Sequence, residues 1–276
     1  DLRMSRGLGD VYKRQVSMDA ERISSRKNKY IAHLRALASD ADYRYACAEY
    51  LCDGIKLLSE ALDKGARVQS VLWKDAAEEL PGLDGAKQYI APAELFDYAS
   101  PMKNSPGPVF TLAMPEGHKV EMRRAVLLEN VQDPGNVGTL LRSAAAFGFD
   151  GVLLSKGCAA PFAPKTLRAS MGAAGRLPVA PVQDLPQALQ QLRARGVVCL
   201  AAALYHSRPL DEAPQSYPDG LCAVIGSEGQ GLTDAAVQAC DMAVRIPMTD
   251  LVESLNAGVA GLSLIHISEP TRHAQI

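Results

Sequence analysis

Between residues 125 and 246, short apolar runs alternate with stretches of helical spacing, and this alternation restricts the fold more than any single motif does. The runs at 125–129 (AVLLE), 152–155, 197–203, 221–225 and 243–246 read as strands. Helical spacing fills 137–147, 185–195 and 233–240, with Gly148 as the stop of the first helix and Thr233 as the cap of the last. AVLLE shows no polar alternation, as expected of a strand covered on both faces. Strands alternating with helices predict an α/β fold around a parallel sheet, whose ligands sit beyond the carboxyl ends of the strands.

Three blocks lie at or just after such ends: NVGTLLR at 136–142, GSEGQGL at 226–232 and IPMTDLVESLN at 246–256. Each joins a strand-like run to a Gly-rich or polar turn, so that backbone amides face a potential ligand. The layout is that of a cofactor site. A nicotinamide or conventional methyltransferase site would need GxGxxG after the first strand, with an acid some twenty residues later. DPGNVG stands there instead, GSEGQG comes late with the wrong spacing, and no GxxxxGK[ST] phosphate loop occurs. These absences argue against a dinucleotide or nucleoside triphosphate site.

The first half is less regular. Helices are expected at 30–38, 54–62 and 92–98 and strands at 68–73 and 109–113, followed by a polar linker at 114–122. The ends are anomalous. LSLIHISEPTR at 262–272 back-translates to DNA whose reverse complement encodes SRGLGDVYKRQ, the sequence of 5–15. Segments 1–15 and 262–276 therefore resemble a sequencing-library adapter read through as protein and are set apart from the fold. The expected organisation is a substrate-binding domain at 16–113, the linker and a catalytic domain at 123–261 that was cut before its own stop codon.

Charge bears on the partner. The formal net charge is −2, but 1–15 hold four bases and two acids while 262–276 hold Glu269 and Arg272, which leaves −4 for the rest. A mildly acidic chain has no global attraction for nucleic acid, so RNA binding must come from local patches. Arg22, Arg26, Lys27, Lys29 and Arg35 form one candidate, which reads equally as a solvated first helix. The six cysteines contain no CxxC pair and the histidines are scattered, which predicts buried thiols, no disulfide framework and no metal site. No apolar run is long enough to span a bilayer, and a cytoplasmic location is expected.

The three blocks, in order from Val126 to Ala260, resemble the motifs of the SpoU (TrmH-like) RNA ribose 2′-O-methyltransferases of the SPOUT superfamily. The first half is similar to that family's ribosomal-protein-like substrate-binding module. There YLCDGIKLLSEAL at 50–62 places Asp53 where the family usually has Glu, and SPGP at 105–108 replaces a more typical PQG. The resemblance implies a trefoil-knotted sheet, a homodimer, S-adenosylmethionine as cofactor and RNA as partner. It favours ribosomal over transfer RNA because of the accessory domain. A non-catalytic RNA-binding or ribosome-assembly factor of the same fold is the alternative.

Carried over residue by residue, Gly226, Ile246 and Leu255 match positions that contact the cofactor. Gly226 and Gly229 would permit close backbone approach, and Ile246, Met248 and Leu255 would wall an adenine. Arg142 matches the catalytic arginine. A guanidinium is hard to deprotonate, so its expected role is to grip a phosphate and polarise the ribose hydroxyl. Asn136 reads both as the N-cap of its helix and as an organiser of the site. Glu228 would fix the second block's loop or a subunit contact. Ser254 and Asn256 would hold the substrate ribose, with Ser254 equally a helix N-cap. Lys165, Arg168 and Ser170 could meet RNA phosphate or form a solvated helix face. Family members continue past SLNAGVA into a long helix under the cofactor. Its replacement after Gly261, together with Pro270, predicts weak cofactor binding and weak dimerisation in this chain.

Overall fold

A computed structural model of the 276-residue chain describes residues 20–115, 121–214, 216–249, 251 and 255–267. Most of the expected linker, at 116–120, lies outside them, as do 1–19 and 268–276. The first half begins with β1 (Glu21–Arg22) and α1 (Lys29–Ser39). Asn28 caps α1 by accepting from the Tyr30 amide at 2.7 Å, and Ile31, Leu34 and Leu37 fall on its buried face. Then follow α2 (Ala41–Cys47), β2 (Glu49–Asp53), α3 (Ile55–Asp63), β3 (Val68–Lys74), β4 (Lys87–Ala91), α4 (Ala93–Ala99) and β5 (Val109–Ala113). The five strands form a mixed sheet in the order β1-β4-β3-β5-β2.

The second half contains β6 (Arg124–Leu128), α5 (Pro134–Ala146), β7 (Gly151–Ser155), α6 (Pro164–Ala169), β8 (Val179–Val182), α7 (Leu185–Arg193) and β9 (Val198–Ala202). It continues with β10 (Arg208–Pro209), β11 (Leu221–Ile225), α8 (Asp234–Ala239), β12 (Met242–Arg245) and α9 (Ala257–Ile267). Every strand pair in this sheet is parallel, in the order β10-β12-β9-β11-β6-β7-β8. Along β6 the side chains alternate between two apolar clusters. Val126 and Leu128 join α5 and α9, whereas Ala125 and Leu127 join α7 and α8. The period of two with both faces covered accounts for the uninterrupted AVLLE run.

The two halves share one core. Tyr50, Leu58 and Phe110 of the first sheet belong to the same apolar cluster as Val126, Val137 and Leu141 of the second. Phe162, just before α6, packs at 5.1 Å between ring centroids on Tyr50. Gly175 makes the approach feasible, since a Cβ there would overlap the Tyr50 hydroxyl. Arg176 adds an ion pair to Glu60 of α3 at 2.7 Å.

The replaced segment after Gly261 continues a helix: α9 runs to Ile267, with Leu264 and Ile265 covered. Residues 257, 261, 264 and 265 fall on one helical face, so 264 and 265 extend the stripe that packs on α5 and β11.

Candidate active site

β6 and β11 are neighbours whose ends are level, Leu128 opposite Ile225, so the first two blocks leave the sheet side by side. The third follows β12, which β9 separates from β11. α5 is capped by Asp133, whose carboxylate accepts from the Asn136 amide at 2.8 Å, and Pro134 occupies the first helical position. The reading of Asn136 as the N-cap is therefore corrected: its amide is the group being capped. Its side chain is free to turn inward.

That side chain, only 9% exposed, ties the three blocks together. Asn136 Nδ2 donates to the Glu228 carboxylate, and Asn136 Oδ1 accepts from Asn256 Nδ2 at 2.9 Å. Asn256 Oδ1 in turn accepts from the amides of Gly258 at 2.9 Å and Val259 at 3.3 Å, so Asn256 caps α9. Residues 92 and 120 positions apart thus form one hydrogen-bonded chain. Glu228 thus reaches from the second block into the first. Asn256 spends its oxygen on the helix, which leaves one amide hydrogen for a ligand. Ser254 lies outside the described residues.

The second block is a tight loop. Ser227 and Gly231 exchange backbone hydrogen bonds at 3.2 and 2.9 Å, and the Gln230 amide donates to Ser227 Oγ at 3.3 Å. A Cβ on Gly226 would overlap the Gly231 carbonyl and lie 2.5 Å from the Leu232 amide nitrogen. Gly226 is thus required by the crossing of the loop's own backbone, a duty beside the close cofactor approach expected of it. Gly229 differs: nothing approaches its Cβ position within 4 Å. Open space next to its backbone suits a docking molecule. Ile246, Met248 and Leu255 of the third block, beyond β12, are each half-buried, an incompletely covered apolar set. Together they fit a cofactor with an apolar ring and polar edges.

Arg142 occupies α5 six residues beyond Asn136, roughly 120° further around the helix. It is exposed and has no ion pair among the described residues. It presents its charge to solvent on the stripe that includes Thr139, available for an anion. Lys165 and Arg168 are exposed one turn apart on α6, while Ser170 is fully buried and donates to the Leu167 carbonyl at 3.0 Å. Ser170 is therefore withdrawn as an RNA contact. Arg26 and Lys27 are exposed just before α1, and Arg26 and Arg35 lie 4.7 and 4.2 Å from the Tyr98 ring centroid. The patch is thus cationic with an aromatic core. Among the described residues no group of three His, Cys, Asp or Glu side chains gathers in a metal-like cluster, and the six cysteines are free.

The two departures in the first half contact each other. Asp53 accepts from Ser105 Oγ at 2.6 Å and from Ser100 Oγ at 2.8 Å. Burial pushes its carboxyl above the ordinary value, opposed by these hydroxyls and by the charge of Arg168. Asp53 thereby ties β2 to the SPGP loop. Sequence reasoning also passed over Glu129, whose carboxylate accepts from Thr233 N at 2.8 Å and Thr233 Oγ1 at 2.9 Å, fastening the start of α8 to the end of β6.

Comparison with known proteins agrees with this geometry. The SpoU rRNA Methylase family matches residues 123–266. The 23S rRNA (guanosine(2553)-2′-O)-methyltransferase RlmP of Bacillus subtilis strain 168 is 31% identical over 247 residues, 89% of this chain and 98% of that protein. An rRNA methyltransferase from Sinorhizobium meliloti shares the fold, with a TM-score of 0.78 at 22% identity over 91% of this chain and 97% of that one. The SpoU methyltransferase AviRb from Streptomyces viridochromogenes, solved in complex with the cofactor AdoMet, gives a TM-score of 0.73 at 25% identity, covering 88% and 97%.

Proposed function

The chain belongs to the SpoU rRNA methylase family, and from that premise we propose that it transfers a methyl group from S-adenosylmethionine to a ribose 2′-hydroxyl of ribosomal RNA. The observation that carries this reading is the Glu228–Asn136–Asn256 chain, which unites the three blocks at the ends of one parallel sheet. The cofactor supplies a methyl group already activated by a sulfonium charge. Gly229, Ile246, Met248 and Leu255 would hold it, and Gly226 shapes the loop to which Gly229 belongs. Glu228 would offer negative charge to that positive centre. The remaining task is to align the ribose hydroxyl and to assist loss of its proton. Arg142, exposed and unpaired among the described residues, grips the adjacent phosphate and polarises the hydroxyl. Lys165, Arg168, Arg26 and Lys27 hold RNA backbone further out.

Family likeness supports the finer architecture. In this reading, 16–113 form a ribosomal-protein-like RNA module, and the chain after β11 threads a trefoil knot. Two copies then pair through α9 and its surroundings, where Leu251, Val259 and Leu262 are exposed. With ribosomal RNA as substrate, the protein works in the cytoplasm.

The test is Arg142→Ala, assayed by calorimetry with S-adenosylmethionine and by methyl transfer to unmodified ribosomal RNA. Turnover falls about a hundredfold or more while cofactor affinity holds. Equal loss of both would refute the role given to Arg142, and cofactor binding by the wild-type chain without transfer to any RNA would favour a non-catalytic RNA-binding factor.

A further inference from the structure

A cavity of about 410 Å³ opens beyond the carboxyl ends of β7 and β8, at the junction of the two halves. Its walls include Ser155, Lys156, Cys158, Ala160 and Pro181 from the second half and Tyr45 from the end of α2 in the first. The volume lies within the range of small-ligand sites, and the strand ends are where such sites form in parallel sheets. The site described above does not use it.

Three observations connect this cavity to that site. The 155–159 segment that floors it is bonded to the 128–131 loop leading into α5. The Asn130 amide donates to Ser155 Oγ at 3.0 Å, the Ala159 amide to the Val131 carbonyl at 2.9 Å and Cys158 Sγ to the Leu128 carbonyl at 3.3 Å. Asn136 and the cavity therefore flank one short, pinned loop, and β8 lies two strand spacings, about 10 Å, from β6. Secondly, Tyr45 is 57% exposed, yet its ring is braced edge-on against buried Phe162 at 6.4 Å, and Phe162 rests on Tyr50. Such a ring is an oriented platform with an open face. Thirdly, Lys156 at the cavity edge is exposed and makes no ion pair among the described residues.

An aromatic face, an apolar recess and an unpaired cation are the combination that holds an unstacked base and its phosphate. We propose that this cavity takes the nucleobase next to the methylated ribose, stacked on Tyr45 with its phosphate on Lys156. The proposal rests on the RNA methyltransferase reading and extends it: the junction of the two halves is itself a recognition site. Holding the neighbouring base splays the strand and presents the target ribose to the first block.

Steady-state kinetics with unmodified 23S rRNA transcribed in vitro test it. Tyr45→Ala raises KM for RNA about tenfold, with kcat and S-adenosylmethionine affinity unchanged, and Tyr45→Phe stays within about twofold because the ring is kept. Ala160→Leu, at another lining residue, fills the recess and raises KM likewise while the Tyr45 ring is kept. Cys158, which lines the cavity, is protected from iodoacetamide by RNA and not by S-adenosylmethionine alone. Unchanged KM in both Tyr45→Ala and Ala160→Leu, while the wild-type chain methylates RNA, overturns the proposal and leaves the activity standing. Absence of transfer by the wild-type chain overturns both.

Discussion

The rim of the parallel sheet and the outer face of the first half are held in place by different means. At the rim, position is set by backbone crossing and by side chains that satisfy each other across long stretches of sequence, as at Gly226 and in the Glu228–Asn136–Asn256 chain. On the outer face, Arg26 and Lys27 stand in solvent, and the Asp53–Ser100–Ser105 contact stays within the first half. The contrast teaches which changes the protein tolerates. In the proposed reading, the chemistry falls where geometry is overdetermined and the outer RNA contacts fall where side chains carry few structural duties.

The sharpest way to break this comparison is within the second block. Gly226→Ala forces a Cβ into the Gly231 backbone and costs about 3 kcal/mol, with cofactor binding lost. Gly229→Ala, three residues on and facing open space, changes stability by less than about 0.5 kcal/mol. Urea unfolding of the pair checks this, and similar losses in both would show that the loop is not set by the Gly226 crossing. Next in size, Asn136→Ala leaves Glu228 and Asn256 each short of a partner and costs about 1–3 kcal/mol. A cost below the error of a denaturant melt would mean the three blocks are not coupled through this side chain.

Much of the rim was legible because its signals are local: AVLLE gave β6, Thr233 gave the cap of α8, and glycine-rich blocks marked the strand ends. Asn136 was misplaced as a cap because Asp133 followed by Pro134, the stronger start signal, was absorbed into the motif. β2, β4 and β8 escaped notice: EYLCD is short, and VAPV carries a proline at a sheet edge. Roles that depend on distant partners could not be read at all. Gly175 answers to Tyr50 only once the halves are packed, and Asp53 to Ser105 only once β2 and the loop after α4, 52 residues apart, are brought together.

Smaller effects sharpen the other side of the comparison. Burial lifts the Asp53 carboxyl above its ordinary value, so the folded chain binds a proton there more readily than the unfolded one. Its contribution to stability therefore falls as pH rises from the ordinary aspartate range through the raised value. Asp53→Asn removes that slope; thermal melts across mildly acidic pH should show the variant flatter than wild type, and parallel curves would contradict it. Smallest is Glu60→Ala, which opens the half-exposed pair with Arg176 and costs below about 1 kcal/mol. A larger loss in chemical denaturation would mean that ion pairing, rather than the Phe162–Tyr50 core, holds the halves together.

The most direct test of the central claim is where the methyl group lands. Unmodified ribosomal RNA is incubated with the protein and S-adenosylmethionine carrying a tritiated methyl group, then hydrolysed in alkali, which cannot cleave next to a 2′-O-methylated ribose. The account predicts label in alkali-resistant dinucleotides. Label in mononucleotides, the mark of a methylated base, would contradict it.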